Sequence, residues 1–188
     1  MNYPLFTSDL HAYHKNILNF SKVTRHGKDA DEMTEILIKN WNEQVPDKET
    51  TVYCLGDISF GSSTKTRELL NRLNGTIHLI LGNHDREEFM LSTNRFASVS
   101  QYKKIKIDEQ WVIMFHYPIN DWEMINHGSF HLYGHIHGQK DRMPQGRALD
   151  VGIDNRPLGD MKLWTWQEVK DTLEPLINFR HGSGNGRS

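Results

Sequence analysis

The chain carries the stretch Ile80-Leu81-Gly82-Asn83-His84-Asp85, in which an apolar run stops at a glycine and an amide, an imidazole and a carboxylate follow at once. The apolar run covers residues 77–81 and is interrupted only by His78. A short apolar run that stops at a glycine is typical of a buried strand. We therefore expect a strand at 76–81 that ends by placing polar side chains in a functional site.

Before this strand, the chain alternates between strand and helix patterns. Apolar and β-branched runs at 4–7 and 50–55 predict two further strands. Helices are predicted at 13–20, 29–44 and 63–73, and the second of these has one apolar face that includes Met33, Leu37 and Trp41. Strands that alternate with helices predict an α/β fold with parallel strands and right-handed crossovers.

The second half of the chain has a different pattern. Polar and apolar residues alternate over 102–108, and the apolar run 111–115 follows a short turn, which predicts an antiparallel hairpin. Further strands are predicted at 130–133 and 147–153, and Thr165 to Glu168 matches a capping box that opens a last helix. We expect one domain over 1–179, a flexible tail at 180–188, and a cleft shaped by the long connections 86–101 and 117–130.

The composition is that of a globular protein, with 188 residues, 37% of them hydrophobic, and a net charge of −2. Because no basic field covers the surface, we expect no general nucleic-acid binding. The single cysteine, Cys54, suits a reducing compartment, and the sequence shows neither a signal peptide nor an apolar run long enough to span a membrane. We therefore expect a cytoplasmic protein without membrane contacts. The unusual figure is the eleven histidines.

Several of these histidines lie in five segments that share one construction, an apolar run followed by a polar group. The polar groups are Asp9/His11, Asp57, Asn83/His84, His116 and His135/His137. Ligands of open α/β sheets bind outside the carboxyl ends of the strands, so we expect these groups to share one rim. Imidazole, carboxylate and amide oxygen bind divalent metal ions. Residues two apart on an extended segment point the same way, so each Asp/His or His/His pair is expected to serve one site.

Each of these residues also has an ordinary structural explanation. Asp9 fits a helix N-cap, Gly56-Asp57 fits a turn, and Asp85 fits a cap for a helix that begins near Arg86. The lone histidines His78, His127 and His131 are expected to be structural or on the surface. These explanations do not account for a polar group at the end of five apolar segments, and a metal centre does.

In this order, the blocks Asp9-x-His11, Gly56-Asp57, Gly82-Asn83-His84-Asp85, His116 and Gly134-His135-x-His137 resemble the calcineurin-like metallophosphoesterase superfamily. The resemblance spans about two thirds of the chain. It implies a four-layer αββα sandwich, in which two mixed β-sheets are flanked by helices. It also implies a first metal site and a second metal site that share Asp57. By position, the first has Asp9, His11, Asp57 and His137, and the second has Asp57, Asn83, His116 and His135.

The same resemblance implies a reaction, the hydrolysis of a phosphodiester or phosphomonoester by attack of a hydroxide that bridges the two metal ions. His84 matches the residue that contacts the substrate phosphate and protonates the leaving group, so His84 and Asp57 are the expected catalytic residues. Two divalent ions bring +4 and the carboxylates of Asp9 and Asp57 return −2, which favours a phosphate anion. A phosphodiester is preferred, and a nucleotide or small organic phosphate is the expected substrate. Mn²⁺ is the first choice of metal, with Fe, Zn, Ni and Co as alternatives.

Other residues have less specific signals. Besides Asn83 and His84, His14 and Arg86 are candidates for substrate contact. A solvated helix face explains His14 equally well, and an exposed charge is the more usual explanation of Arg86. The strand-like segment 150–155 has a polar end, to which we assign no role at the metals. Trp122 and Trp164 either line a pocket for a base or belong to the core.

One departure from the family narrows the choice of enzyme. In Gly56-Asp57-Ile58-Ser59-Phe60-Gly61, Phe60 stands where protein Ser/Thr phosphatases of the superfamily have the acidic partner of the histidine. This argues against a protein phosphatase and leaves open what orients His84. The chain looks closer to the small bacterial and phage phosphoesterases. The alternatives are a catalytically silent metal-binding scaffold of the same fold and a dimetal hydrolase of a non-phosphate ester, and the oligomeric state stays open.

Overall fold

The computed structural model describes residues 3–178, and the predicted tail at 180–188 lies outside the described residues. A first sheet contains β1 (Leu5–Thr7), β2 (Thr51–Cys54), β3 (Thr76–Ile80), β4 (Phe96–Ser100) and β9 (Trp164–Thr165), in the order β4-β3-β2-β1-β9. The strands β1 to β4 are parallel, and β9 runs antiparallel to β1. The predicted parallel strands are therefore confirmed.

A second sheet has the order β5-β6-β7-β8 and is built from β5 (Tyr102–Ile107), β6 (Gln110–Phe115), β7 (Phe130–Tyr133) and β8 (Ala148–Asp150). The strands β5 and β6 form the predicted antiparallel hairpin, whereas β6, β7 and β8 are parallel to one another. Both sheets are thus mixed, and the carboxyl ends of β6 and β7 point the same way.

The helices form where the sequence supplies caps and a single apolar face. They are α1 (Ile17–Phe20), α2 (Ala30–Gln44), α3 (Ser63–Arg72), α4 (Glu87–Ser92) and α5 (Trp166–Leu173). At α2, the Asp29 carboxylate accepts a hydrogen bond of 2.8 Å from the Glu32 N–H. At α5, Thr165 and Glu168 form the predicted capping box. No helix among residues 3–178 is long and apolar enough to cross a membrane.

Two apolar clusters hold the layers together. The first lies between α2, α3 and the first sheet and includes Met33, Trp41 and Leu69. The second joins the two sheets, because Phe6 of the first sheet and Phe130 of the second belong to it. This arrangement confirms the α/β sandwich of two packed mixed sheets with helices. Both Trp122 and Trp164 are buried, which places them in the core and not along an open pocket.

The structure differs from the sequence prediction at several connections. The segment 86–101, expected to be a long connection with a helix beginning near Arg86, contains α4 at that place. It also contains the edge strand β4, which was not predicted and whose side chains are half-buried or exposed and give a weak apolar pattern. The two-residue strand β9 was also not predicted. The helix expected over 13–20 begins only at Ile17, because the backbone between Asp9 and Tyr13 includes three left-handed residues.

Candidate metal centre

The predicted polar groups converge because hydrogen bonds from backbone N–H groups join the loops after β1, β2 and β7. The Asp9 N–H donates to the Gly56 carbonyl at 3.0 Å, and the His135 N–H donates to Asp9 Oδ2 at 2.9 Å. This contact leaves no room for side chains at the glycines. A Cβ on Gly134 would collide with the Asp9 carboxylate, and one on Gly82 would collide with the carboxylate of Asp57. The glycines of the motifs are therefore required by close packing around two carboxylates.

Five of the candidate ligands have a left-handed backbone. The φ angles are 55° at Asp9, 47° at His11, 56° at Asp57, 71° at His135 and 48° at His137. Such angles are unfavourable for residues with a Cβ and cluster at functional sites. The expectation that the Asp9/His11 and His135/His137 pairs lie on extended segments is wrong. Each pair instead turns sharply around a buried apolar residue, Leu10 or Ile136.

A first cluster contains Asp9, His11 and His137, whose ligand atoms all lie within 4.8 Å of one another. His11 Nε2 is 3.5 Å from Asp9 Oδ1, and His137 Nε2 is 3.9 Å from the same oxygen. Neither Asp9 Oδ1 nor either nitrogen of His11 has a hydrogen-bond partner among the described residues, although these atoms are buried. Buried polar atoms without partners are costly, and a bound cation would satisfy Asp9 Oδ1 and the unprotonated nitrogen of His11. The residues therefore fit a divalent metal ion.

A second cluster contains Asp57, Asn83, His116 and His135. His116 Nε2 lies 3.6 Å from Asp57 Oδ2 and 3.1 Å from Asn83 Oδ1, and His135 Nδ1 lies 3.0 Å from the same amide oxygen. The Nδ1–H of His116 donates to the Leu55 carbonyl at 2.6 Å, so its Nε2 has a free lone pair. His135 thus meets Asn83 while His137 meets Asp9, and the expectation that this pair serves one site is wrong. The ligand roles themselves stay predictions.

The Asp9 carboxylate is held in its ionised form by the imidazoles around it. Burial alone would raise the pKa of Asp9, but the His11 imidazole beside it and the nearby His116 and His137 lower that pKa to about 2. The pKa of His135 is lowered by burial and by the nearby His116 and Arg142. Metal ligands need an ionised carboxylate and a neutral imidazole, and the lowered pKa values of Asp9 and His135 favour these two states.

The structure adds two residues to the site that the sequence did not reveal. The Nδ1–H of His137 donates to Asp154 Oδ2 at 2.7 Å, and Asp154 forms a buried ion pair of 2.8 Å with Arg25. Asp154 belongs to the strand-like segment 150–155, whose polar end was the one available signal. Arg25 lies in a polar segment that gave none.

His84 lies at the exposed side of the centre. Its side chain is 47% exposed, and its Nε2 is 3.9 Å from Asp57 Oδ2. The ring lies 4.6 Å from that of Phe60, which also stacks on His11 at 5.0 Å and meets His14 at 4.3 Å. Phe60 therefore packs against three imidazoles, one of them His84, from the position where protein phosphatases have an acidic partner.

His14 and Arg86, the two less specific candidates for substrate contact, lie in different surroundings. His14 is half-buried beside Phe60, burial lowers its pKa, and its Nδ1 has no hydrogen-bond partner within residues 3–178. Arg86 is exposed, donates to Ser63 Oγ at 3.0 Å and lies over the Phe89 ring. Arg86 and His84 border one small pocket of about 40 Å³. Contact of either candidate with a substrate stays a prediction.

Asp85 has a role other than the predicted helix cap. Its carboxylate accepts hydrogen bonds from the N–H groups of Asp57 at 2.8 Å, Gly82 at 3.0 Å and Ile58 at 3.2 Å. The N-cap of α4 is Arg86, which has no side-chain cap. Burial raises the pKa of Asp85, and the three N–H donors oppose that rise. Asp85 therefore ties the loop after β2 to the loop after β3.

A sandwich of two mixed sheets with carboxylate, amide and imidazole groups at adjoining strand ends defines a class of metal-dependent hydrolases. A sequence model of the calcineurin-like phosphoesterase family matches residues 4–164, and the chain belongs to this family. The family resemblance of the five motif blocks is thereby confirmed. The family is metal-dependent and acts on phosphate esters, so the chain is a hydrolase of that type with candidate metal ligands at its strand ends.

The chain is also similar to two relatives and to a solved structure. The chain is 37% identical over 154 residues to the uncharacterized protein MJ1445 of Methanocaldococcus jannaschii, covering 78% of this chain and 79% of that protein. It is 28% identical over 210 residues to the gene 66 protein of Mycobacterium phage L5, with 94% of each covered. The crystal structure of AQ665, a protein of unknown function from Aquifex aeolicus, superposes with a TM-score of 0.70 at 21% identity, covering 91% of this chain and 99% of that chain. This last similarity shows a shared fold.

Proposed function

We propose that the protein is a dinuclear metal-dependent phosphoesterase that hydrolyses a phosphodiester, or less readily a monoester, of a nucleotide or small organic phosphate. The observation that carries this proposal is the position of Asp57 Oδ2, which lies 3.6 Å from Nε2 of His11 in the first cluster and 3.6 Å from Nε2 of His116 in the second. One carboxylate oxygen facing two sets of nitrogen ligands is the arrangement expected of a bridge between two ions.

The donor set supports two divalent ions bound by nitrogen and oxygen. The one cysteine, Cys54, is buried in β2, and burial raises the pKa of its thiol, so a thiolate ligand is not offered. Bound divalent ions would polarise the phosphate and make a water molecule nucleophilic at neutral pH. Mn²⁺ is the metal proposed first, with Fe, Zn, Ni and Co as alternatives, because nitrogen and oxygen ligands of this kind accept all of them.

The charge and exposure of the centre support a phosphodiester substrate. With two divalent ions bound, the carboxylates of Asp9 and Asp57 would leave the centre with a net charge of +2. A bound hydroxide would reduce that charge to +1, which matches a diester monoanion. His84 is the exposed imidazole beside Asp57, so it is placed to contact the phosphate and to donate a proton to the leaving alkoxide. His14 and Arg86 flank His84 and are proposed to contact the rest of a small substrate.

The test is turnover of bis(p-nitrophenyl) phosphate and p-nitrophenyl phosphate with added Mn²⁺. Wild type is expected to hydrolyse the diester faster than the monoester, and Asp57→Asn and His84→Ala are expected to lose most of this activity. His127→Ala is the matched control, because His127 is exposed and outside both clusters. If the metal-dependent turnover of wild type does not exceed that of the two variants, the proposal that the protein is an enzyme is refuted. Two bound metal ions without turnover would support the scaffold alternative.

A further inference from the structure

Arg25 is a buried residue that lies beside the first cluster. Its side chain has no exposed surface, and its guanidinium donates four hydrogen bonds. Two go to backbone carbonyls, from Nη2 to Asp9 at 2.6 Å and from Nη1 to Leu10 at 2.6 Å. The other two form a fork with the Asp154 carboxylate, at 2.9 Å from Nε and 2.8 Å from Nη2. Arg25 therefore binds the turn that contains Asp9 and His11.

Asp154 connects this guanidinium to the opposite side of the cluster. Its Oδ2 accepts the Nδ1–H of His137 at 2.7 Å, and its Oδ1 accepts the Thr24 hydroxyl at 2.6 Å. Burial would raise the pKa of Asp154, but His137 and Arg25 hold it far below its usual range. Because the Nδ1 proton of His137 is directed at Asp154, Nε2 has its lone pair free and lies on the side of Asp9 Oδ1, at 3.9 Å.

The backbone geometry shows what Arg25 compensates. Asp9 and His11 have φ angles of 55° and 47°, which are unfavourable for residues with a Cβ. Hydrogen bonds to the peptide groups of such a turn can offset its unfavourable backbone angles. Arg25 supplies two of these bonds, to the carbonyls of Asp9 and Leu10. One guanidinium thus holds a turn at the end of β1 and, through Asp154, a histidine after β7.

We propose that Arg25 and Asp154 are positioning residues of the first metal site, which fix Nε2 of His137 and the Asp9–His11 turn in the geometry that binds a divalent ion. The proposal rests on the metal centre of the proposed function. A buried ion pair by itself is weak support for stability, since desolvation offsets its attraction. Here the remaining hydrogen bonds go to Asp9, Leu10 and His137, which points to a role at the cluster. Carboxylates that orient a ligating histidine typically contribute about 10- to 100-fold in metal affinity.

The chain supplies a matched control pair. Arg156 is also buried and binds Asp160 at 3.0 Å and Glu168 at 3.0 Å, with Trp164 beneath its guanidinium. None of these partners is a candidate ligand. Arg25→Met and Asp154→Asn therefore compare directly with Arg156→Met and Asp160→Asn, which remove similar ion pairs away from the clusters.

The experiment is calorimetric titration of Mn²⁺ into metal-free protein, together with urea unfolding of each metal-free variant. Asp154→Asn and Arg25→Met are expected to weaken one of the two binding events about 10- to 100-fold, while the other event and both control variants keep wild-type affinity. Equal affinity of Asp154→Asn and wild type would overturn the proposal. So would a loss of affinity in all four variants that follows their loss of metal-free stability.

If Asp154→Asn or Arg25→Met does not fold, Thr24→Val provides a less disruptive variant for the same titration. It removes one hydrogen bond from Asp154 and leaves the ion pair and His137 in place. We expect a several-fold loss of affinity in the same binding event, and unchanged affinity would count against the proposal.

The titration needs no substrate, so the two proposals fail separately. Two bound ions without turnover would refute the proposed function alone. Turnover with equal metal affinity in wild type and Asp154→Asn would refute the positioning role alone, and a wild-type protein that binds no divalent metal would refute both.

Discussion

The Asp57 carboxylate accepts a hydrogen bond of 2.9 Å from the backbone N–H of His84 through Oδ1, while Oδ2 faces the imidazoles of both clusters. The proposed bridging residue therefore also fixes the segment that carries the proposed acid. A change at Asp57 is expected to act on metal binding and on the position of His84 together.

Asp57→Asn separates charge from shape at this position. The amide oxygen can still accept the His84 N–H, but the variant lacks the negative charge that two cations would share. We expect a fall in kcat of at least about 100-fold and fewer than two Mn²⁺ ions per chain, with little loss of stability. Elemental analysis after dialysis and diester kinetics measure the two effects. Asp121→Asn, an exposed aspartate, is the control, and a variant with full metal content and activity would refute the bridging role.

Phe60→Ala tests whether packing orients His84. The Phe60 ring lies within 5.0 Å of the rings of His11, His14 and His84, and its removal frees His84 to adopt other rotamers. We expect kcat for the diester to fall about tenfold, with smaller changes in KM and metal content. Phe20→Ala is the matched control, because Phe20 is an exposed phenylalanine that contacts neither cluster in the described structure. Unchanged kcat would show that His84 is oriented by its backbone alone.

Asp85→Asn tests the connection between the loops after β2 and β3. Asp85 uses both oxygens to accept three backbone N–H groups, and an asparagine offers one oxygen and directs an NH₂ group at the remaining donors. We expect a loss of about 1–3 kcal/mol in the free energy of unfolding and a fall in activity, since Asp57 and Asn83 lie on these loops. Urea unfolding measures the stability. Asp47→Asn, which also accepts a loop N–H but on the surface, should cost less.

The sequence predicts the composition of the site but not its backbone. Asp9, Asp57, Asn83, His116 and His135 are visible because each follows an apolar run, and the carboxyl ends of neighbouring strands meet. The left-handed φ angles at Asp9, His11 and His137 are not visible, because aspartate and histidine, although enriched in this conformation, adopt it too rarely for the residue type to predict it. This is why the prediction that the Asp9/His11 and His135/His137 pairs lie on extended segments was wrong.

The features that were not predicted from the sequence are of two kinds, contacts between residues far apart in the chain and strands with a weak apolar pattern. Arg25 and Asp154 are 129 positions apart, and neither has a local motif that predicts their contact. The edge strand β4 has half-exposed side chains and β9 has two residues, so both lack an apolar signal. The strands β2 and β3, which are packed inside the first sheet, have strong signals and were predicted to within two residues at each end.

A last prediction concerns stability against acid and rests on His131, a buried histidine of β7 away from both clusters. Its Nε2 accepts the Ile119 N–H at 3.3 Å and its Nδ1–H donates to the Ile113 carbonyl at 3.3 Å, so the folded protein holds the neutral ring. Burial lowers the pKa of His131 to about 4, against about 6.5 in an unfolded chain.

Since the folded-state pKa lies below the unfolded one, the unfolded chain takes up a proton first as the pH falls. The stability that the neutral ring contributes is fully present above about pH 6.5 and is lost between about pH 6.5 and pH 4. Between pH 7 and pH 5 we expect this histidine to cost about 2 kcal/mol of unfolding free energy, from a gap of about 1.5 pH units. Urea unfolding of wild type and His131→Gln at both pH values isolates this contribution, with the exposed His127→Gln as control. An equal pH dependence in wild type and His131→Gln would show that His131 is not the titrating group.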